Sequence, residues 1–207
     1  MIVIAATQNK HKIEEIESIT RLFGFEILSR GDAGIPDIEI EEDGETFEEN
    51  SYKKAAEIMK LCSRISIADD SGLMVDALNG APGVISARFA GEKATDQMNN
   101  SKLLDLLKDV PDEERGAKFV SVITMIYTDG RTIVARGECK GHILREPRGE
   151  GGFGYDPLFV PEGFTKTYSE LTSDEKNQIS HRALALQKLG SILEKHVAIP
   201  DDIGQEQ

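Results

Sequence analysis

The stretch IVIAATQNKHKIEEIESITRLFGFEIL, residues 2–28, decides the fold class. Ile2 to Ala6 is a short apolar run of the kind found in a buried strand. Thr7-Gln8-Asn9 interrupts it, and Ile13, Ile16, Ile19 and Phe23 then recur at helical spacing until Gly24, a residue suited to closing a helix. Phe25 to Leu28 reads as a second strand. A β-loop-α-β opening produces parallel strands with a helix packed across them, so the expected class is α/β.

An acidic stretch follows: Asp37, Glu39, Glu41, Glu42, Asp43, Glu45, Glu48 and Glu49. Thr46 to Glu49 fits a capping box, with Thr46 starting a helix that continues through Ala55, Ile58, Met59 and Cys62. Ile65 to Ala68 is a third short strand, expected to end at Asp69-Asp70-Ser71-Gly72. Asn79-Gly80-Ala81-Pro82-Gly83 is a loop, and an amphipathic helix carrying Leu103, Leu104 and Leu107 stops before Pro111. Ala117 to Tyr127 and Thr132 to Arg136 flank Asp129-Gly130, a hairpin signal that mixes antiparallel strands into the sheet. Leu158 to Val160 resembles another strand, and Ser180 to His196 is the last helix. One domain is expected over residues 1–200, with 201–207 as a flexible tail.

Composition narrows the function. With 24 Lys+Arg against 37 Asp+Glu the net charge is −13, and the pI is near 4.8. That balance argues against binding nucleic acid, whose nonspecific affinity comes from cations on phosphates, and against a polybasic membrane anchor. The longest strongly apolar uncharged stretch, Phe119 to Thr128, is far shorter than the ~20 residues of a membrane helix. Two cysteines, Cys62 and Cys139, without a CxxC pair encode neither a disulfide framework nor a zinc site. No secretory leader is visible, so a soluble, reducing, cytoplasmic setting is expected.

Four constellations carry chemistry. Thr7-Gln8-Asn9-Lys10-His11-Lys12 lies where a strand gives way to a helix, the place where open α/β sheets bind ligands. Its lysines oppose the helix dipole, which makes sense if an anion arrives between them. Asp69 and Asp70, adjacent and followed by Gly72, suit a hard cation such as magnesium; most of the eight preceding acids form a solvated face. Gly149 to Pro157 satisfies GxGxxG but lies between prolines rather than opening a helix, so it is no dinucleotide fingerprint. It is a turn able to lay Phe153 and Tyr155 against a base. Lys176 and Ser180-His181-Arg182 again put cations at a helix start, with Ser180 as N-cap and with donors for a carbonyl on a base edge. Phosphate-binding cations, metal-binding carboxylates, an aromatic platform and base-edge donors together describe a site for a nucleoside triphosphate with magnesium.

The chain resembles the inosine/xanthosine triphosphate pyrophosphatases from Ile2 to about Leu193. The motifs appear in the family's order: Ala6 to Lys12, Glu45-Thr46-Phe47-Glu48-Glu49-Asn50, Ala68-Asp69-Asp70-Ser71-Gly72-Leu73, Gly80-Ala81-Pro82-Gly83 with Ser86-Ala87-Arg88, Gly151 to Pro157, and Ile179-Ser180-His181-Arg182. The resemblance implies an elongated α/β fold with a mixed, twisted sheet and flanking helices, two lobes around a central cleft, and a homodimer. It implies hydrolysis of deaminated purine triphosphates (dITP/ITP, XTP/dXTP) to monophosphate and pyrophosphate. Thr7, Gln8, Asn9, Lys10, His11 and Lys12 then hold phosphates, joined by Lys54. Glu42 and Asp70 bind Mg²⁺, Asp70 also accepts the proton of the attacking water, and Ser71 touches substrate. Phe153, Gly154, Tyr155 and Asp156 enclose the base, which Lys176, His181 and Arg182 read. Gln8 stands where the family most often has Gly. A Maf-like pyrophosphatase acting on other nucleotides is the alternative enzyme reading.

Overall fold

The apolar run at the start becomes strand β1 (Ile2–Ala5), and the interrupted segment after it becomes helix α1 (Lys10–Thr20). A 3₁₀ turn, Arg21–Phe23, ends at Gly24, and β2 (Glu26–Ser29) returns parallel to β1. These come from a computed structural model that describes residues 1–36, 38 and 40–197, without the side chains of His11, His196 and Val197. Asp37, Glu39, the side chain of His11 and the expected tail 201–207 therefore lie outside the described residues.

Helix α2 (Phe47–Cys62) starts as expected: Thr46 Oγ1 accepts from Glu49 N at 3.2 Å. The Glu49 carboxylate reaches back to Glu45 N at 2.7 Å, one residue earlier than in the usual box. Strand β3 (Ser66–Val75) corrects one expectation. It does not end at Asp69-Asp70-Ser71-Gly72 but runs straight through them. Polar residues and glycine weaken an isolated strand, but here β4 (Gly116–Ile126) pairs with every residue of β3 from Ser66 to Val75, and each buried carboxylate has at least one ion-pair partner. The hairpin across Asp129-Gly130 joins β4 to β5 (Thr132–Ile143), which extends seven residues beyond the expected Arg136. Strand β6 (Phe159–Pro161) completes a mixed sheet in the order β2-β1-β3-β4-β5-β6. Helices α3 (Asp96–Leu106), α4 (Ser173–Ile179) and α5 (His181–Val197) complete the chain.

Helices α1 and α5 cover one face, burying Ile16, Ala185, Leu186, Leu189 and Leu193 on Val3, Ala5, Ile67, Ile123 and Met125. Helix α2 covers the other with Ala55, Ala56 and Ile58 on Ile4, Ala68 and Ile126. A separate cluster fills the far end, where Leu103 of α3 and Leu107, which caps that helix, meet Leu73, Val75, Phe119, Phe159 and Tyr168. Each fully buried Leu or Ile contributes roughly 1.5–3 kcal/mol. Among the described residues no helix is long and apolar enough to cross a membrane.

The opening arises from unequal strand lengths. The β1–β3 ladder stops at Ala5↔Ile67, with Ala6 N still donating to Ile67 O at 2.8 Å. Strand β3 continues for eight more residues alongside β4. Beyond Ala6 the chain turns away into residues 7–9, leaving a cleft against Asp69 to Gly72 at the carboxyl ends of two parallel strands.

Candidate active site

At the head of α1, Asn9 acts as the cap: its Oδ1 accepts from Lys12 N at 3.4 Å and its carbonyl from Ile13 N at 3.1 Å, while Thr7 Oγ1 accepts from Asn9 N at 3.1 Å. Lys12 points across the cleft to Asp69 Oδ2 at 2.7 Å and lies 3.5 Å from Ser71 Oγ. Among the described residues only Ser63 and Asn79 are non-glycine residues with positive φ, so Gln8 occupies its loop without needing a glycine-like conformation.

Successive side chains of a strand point to opposite faces, and this separates the two aspartates. Asp69 faces α5. Its Oδ2 takes Lys12 and Arg182 Nη2 (3.1 Å), and its Oδ1 takes Ser121 Oγ at 2.5 Å. Asp70 faces α2, where Lys54 Nζ binds Oδ1 at 2.6 Å and also lies 3.4 Å from Glu42 Oε1. Asp69 and Asp70 therefore do not act as one carboxylate pair. The carboxylate that shares Lys54 with Asp70 is Glu42, whose carbonyl accepts from Arg88 Nη2 at 2.9 Å; Glu41 is exposed.

The electrostatics of the two differ in sign. Burial favours the neutral acid at Asp69, but Arg182 and Lys12 outweigh it and hold the carboxyl well below its ordinary value. At Asp70 burial wins, aided by the nearby charges of Glu42 and Asp69, and the carboxyl is pushed up despite Lys54. Asp70 Oδ2 is buried without a hydrogen-bond partner. Two hard oxygen donors and an unsatisfied buried carboxylate oxygen fit magnesium.

Arg182 is 2% exposed. Its Nη1 binds Glu15 Oε2 at 2.6 Å and its Nη2 binds Asp69 and Ser71 Oγ (3.2 Å), while Nε is buried without a partner. Burial works against its charge, yet Asp69 and Glu15 keep it protonated. His181 stacks on Phe119 with centroids 4.8 Å apart and planes 14° apart. Burial, with Arg182 beside it, holds this imidazole well below its ordinary pKa, so it is neutral. Asp156 Oδ2 joins Phe153 N (3.1 Å) to Lys176 Nζ (2.5 Å), and that ammonium sits 5.2 Å from the Phe153 ring centre.

A cavity of about 350 Å³ gathers Thr7, Asn9, Lys12, Ser71, Phe153, Gly154, Tyr155, Asp156, Lys176, His181 and Arg182. Gly72 is in its wall because a Cβ there would collide with Gly83 O and Ser86 Oγ. Glu42, Lys54 and Asp70 form the cluster on the other face of the same strand, one residue from Ser71. Gln8 and Lys10 are not brought to this cavity; they line another, of about 340 Å³, with Ser29, Gly31 and Asp32. Sequence reasoning assigned no role to Ser121, Phe119, Glu15 or Arg88, although Arg88 lies in the Ser86-Ala87-Arg88 motif; each acts through partners distant along the chain.

A twisted mixed sheet whose charged cleft opens at the ends of parallel strands defines an α/β protein built to hold a polyanionic ligand. The chain belongs to the Ham1 family, whose profile matches residues 3–192. It is similar to the dITP/XTP pyrophosphatase of Clostridium perfringens (strain 13 / Type A), 55% identical over 192 residues and covering 90% of this chain and 94% of the relative. The dITP/XTP pyrophosphatase of Desulforamulus reducens is 48% identical over 196 residues, covering 94% and 96%. The solved Staphylococcus aureus Ham1 protein superposes with a TM-score of 0.86 at 40% identity, over 95% of this chain and 100% of that one.

Proposed function

We propose that this protein hydrolyses the α–β anhydride of deaminated purine nucleoside triphosphates, dITP/ITP and XTP/dXTP, to the monophosphate and pyrophosphate. The observation that carries the reading is the sharing of Asp69 between Lys12 and Arg182. A phosphate-side cation and a base-side donor thus belong to one network, beside Asp70. Relatives named for dITP and XTP support this substrate class and lend nothing to a Maf-like alternative.

Thr7, Asn9 and Lys12, with the positive end of the α1 dipole, hold the phosphates. Lys54 adds charge from α2. Glu42 and Asp70 hold magnesium, which when bound polarises phosphate oxygens and stabilises charge on the leaving pyrophosphate. Asp70 orients the attacking water and takes its proton as the new P–O bond forms and the anhydride bond breaks. Phe153 to Asp156 enclose the base. The Arg182 Nε–H, with Lys176 and His181, reads the 6-keto edge; adenine presents a 6-amino donor there and leaves a buried donor unpaired. We take residues 1–200 as one domain with two lobes flanking the cavity, acting in the cytoplasm as a homodimer.

The test is pyrophosphate release with Mg²⁺ from dITP, XTP and the four common dNTPs. Release from dITP and XTP far above the other four is expected; equal release from all six overturns the reading.

A further inference from the structure

Helix α3 has no part in the chemistry above and gives the core little beyond Leu103 and the capping Leu107. Its polar side chains reach instead for main chain at the cavity. Asp96 Oδ2 accepts from Gly154 N at 2.7 Å, and Asn100 Nδ2 donates to Gly154 O at 3.0 Å. Residues four apart share a helix face, so one face of α3 grips both polar groups of a single residue. That residue sits between Phe153 and Tyr155, at the centre of the aromatic turn. The next positions hold the segment before the helix: Asn99 Oδ1 accepts from Ala90 N at 2.8 Å, Asn99 Nδ2 donates to Ala87 O at 3.0 Å, and Lys102 Nζ donates to Phe89 O at 2.5 Å. A further strut runs from Tyr155 Oη, which donates to Ser86 O at 2.8 Å. Helix α3 thus ties two wall segments of the cavity together, and Asp96 and Asn99 themselves line it.

The turn needs such a tie. Phe153 is 38% exposed, so core packing does little to choose its position. Gly151, Gly152 and Gly154 give its backbone wide freedom. The Asp156 carboxylate binds Phe153 N and Lys176, which closes the turn on itself and on α4. The grip from α3 adds a bond to a second, separate element.

We infer that Asp96 and Asn100 are positioning residues for nucleobase binding: their paired hydrogen bonds to Gly154 hold the Phe153 ring where a purine stacks. The inference rests on the reading that residues 153–156 enclose the base. A platform free to wander must be ordered on each binding event, which weakens substrate binding without touching the proton transfer at Asp70.

The experiment combines amide hydrogen exchange at Gly154, read by NMR, with kinetics on dITP and inhibition by the two products, using Asp96→Ala, Asn100→Ala and Asp96→Asn. Asp96→Ala is expected to speed Gly154 exchange about tenfold and raise KM for dITP about five- to tenfold, with kcat within about twofold. Inhibition by dIMP, which carries the base, weakens by the same factor, while inhibition by pyrophosphate, which lacks it, does not move. Asn100→Ala shifts KM and dIMP inhibition in the same direction, and Asp96→Asn, which keeps an acceptor oxygen, restores near-parental values. Unchanged Gly154 exchange overturns the grip itself; faster exchange with unchanged KM and dIMP inhibition overturns its role in binding. Equal weakening of dIMP and pyrophosphate inhibition marks a general structural defect and also overturns it. Failure of the underlying functional reading is distinct, because the parent protein would then release no pyrophosphate from dITP or release it equally from all six triphosphates.

Discussion

On one face of β3, Asp69 receives Lys12, Arg182 and Ser121 on its two oxygens; on the other, Asp70 receives Lys54 on one oxygen and nothing on the second. The side chains belong to consecutive residues, and both are buried. What differs is the supply of donors. Asp69 has enough positive charge around it to remain an anion through any physiological pH, and it works as a node that fixes cations coming from α1 and α5. Asp70 shares its lysine with Glu42 and pays part of its desolvation uncompensated. A buried carboxylate short of partners is poised to bind a cation or a proton, as a reacting group must be. The contrast between two chemically identical side chains thus follows from unequal satisfaction, not from residue type.

The sharpest way to break this contrast is Asp70→Asn. It should lower kcat about 10³-fold while nucleotide binding persists, read by steady-state kinetics and calorimetry. Retained turnover would remove Asp70 from the chemistry. Asp69→Asn should act on stability instead. Lys12 and Arg182 lose their shared anion, which costs about 3 kcal/mol and lowers Tm by about 10 °C in a thermal melt. A melting point equal to the parent's would show that Asp69 is no node.

Arg182→Ala tests what the node holds in place. The preference for ITP over ATP, measured as a ratio of kcat/KM values, should fall about tenfold to a hundredfold; an unchanged ratio retires the base-reading role. The smallest effect concerns His181. Burial and the neighbouring Arg182 keep it neutral in the folded protein, whereas unfolded it titrates near 6.5. The unfolded chain therefore binds the extra proton, and the native state loses stability as pH falls below about 6.5, by up to ~1.4 kcal/mol per pH unit. Urea titrations of the parent and His181→Asn should diverge over that range and run parallel above it. Parallel curves throughout would mean that His181 protonates in place.

Much of the fold is legible along the chain because its causes are local. The apolar run Ile2 to Ala6, the spacing of Ile13, Ile16 and Ile19, the Thr46 cap and the Asp129-Gly130 turn each act within a few residues, and the structure carries the corresponding strand, helices and hairpin. The end of β3 is illegible for the converse reason. Asp69 to Gly72 look like a break when their neighbours are considered alone, and they stay in the sheet because β4, Lys12, Lys54 and Arg182 come from elsewhere. Gln8 and Lys10 illustrate the same limit: belonging to a motif does not say which side of a turn a side chain takes.

The α/β class and the family were legible along the chain, since periodicity, capping and motif order are properties of short segments. Which aspartate is saturated and which is left short was fixed only by tertiary contacts, as was the opposite facing of Asp69 and Asp70. Alternation along a strand sends neighbouring carboxylates to opposite faces, and what waits on each face is set by helices tens of residues away.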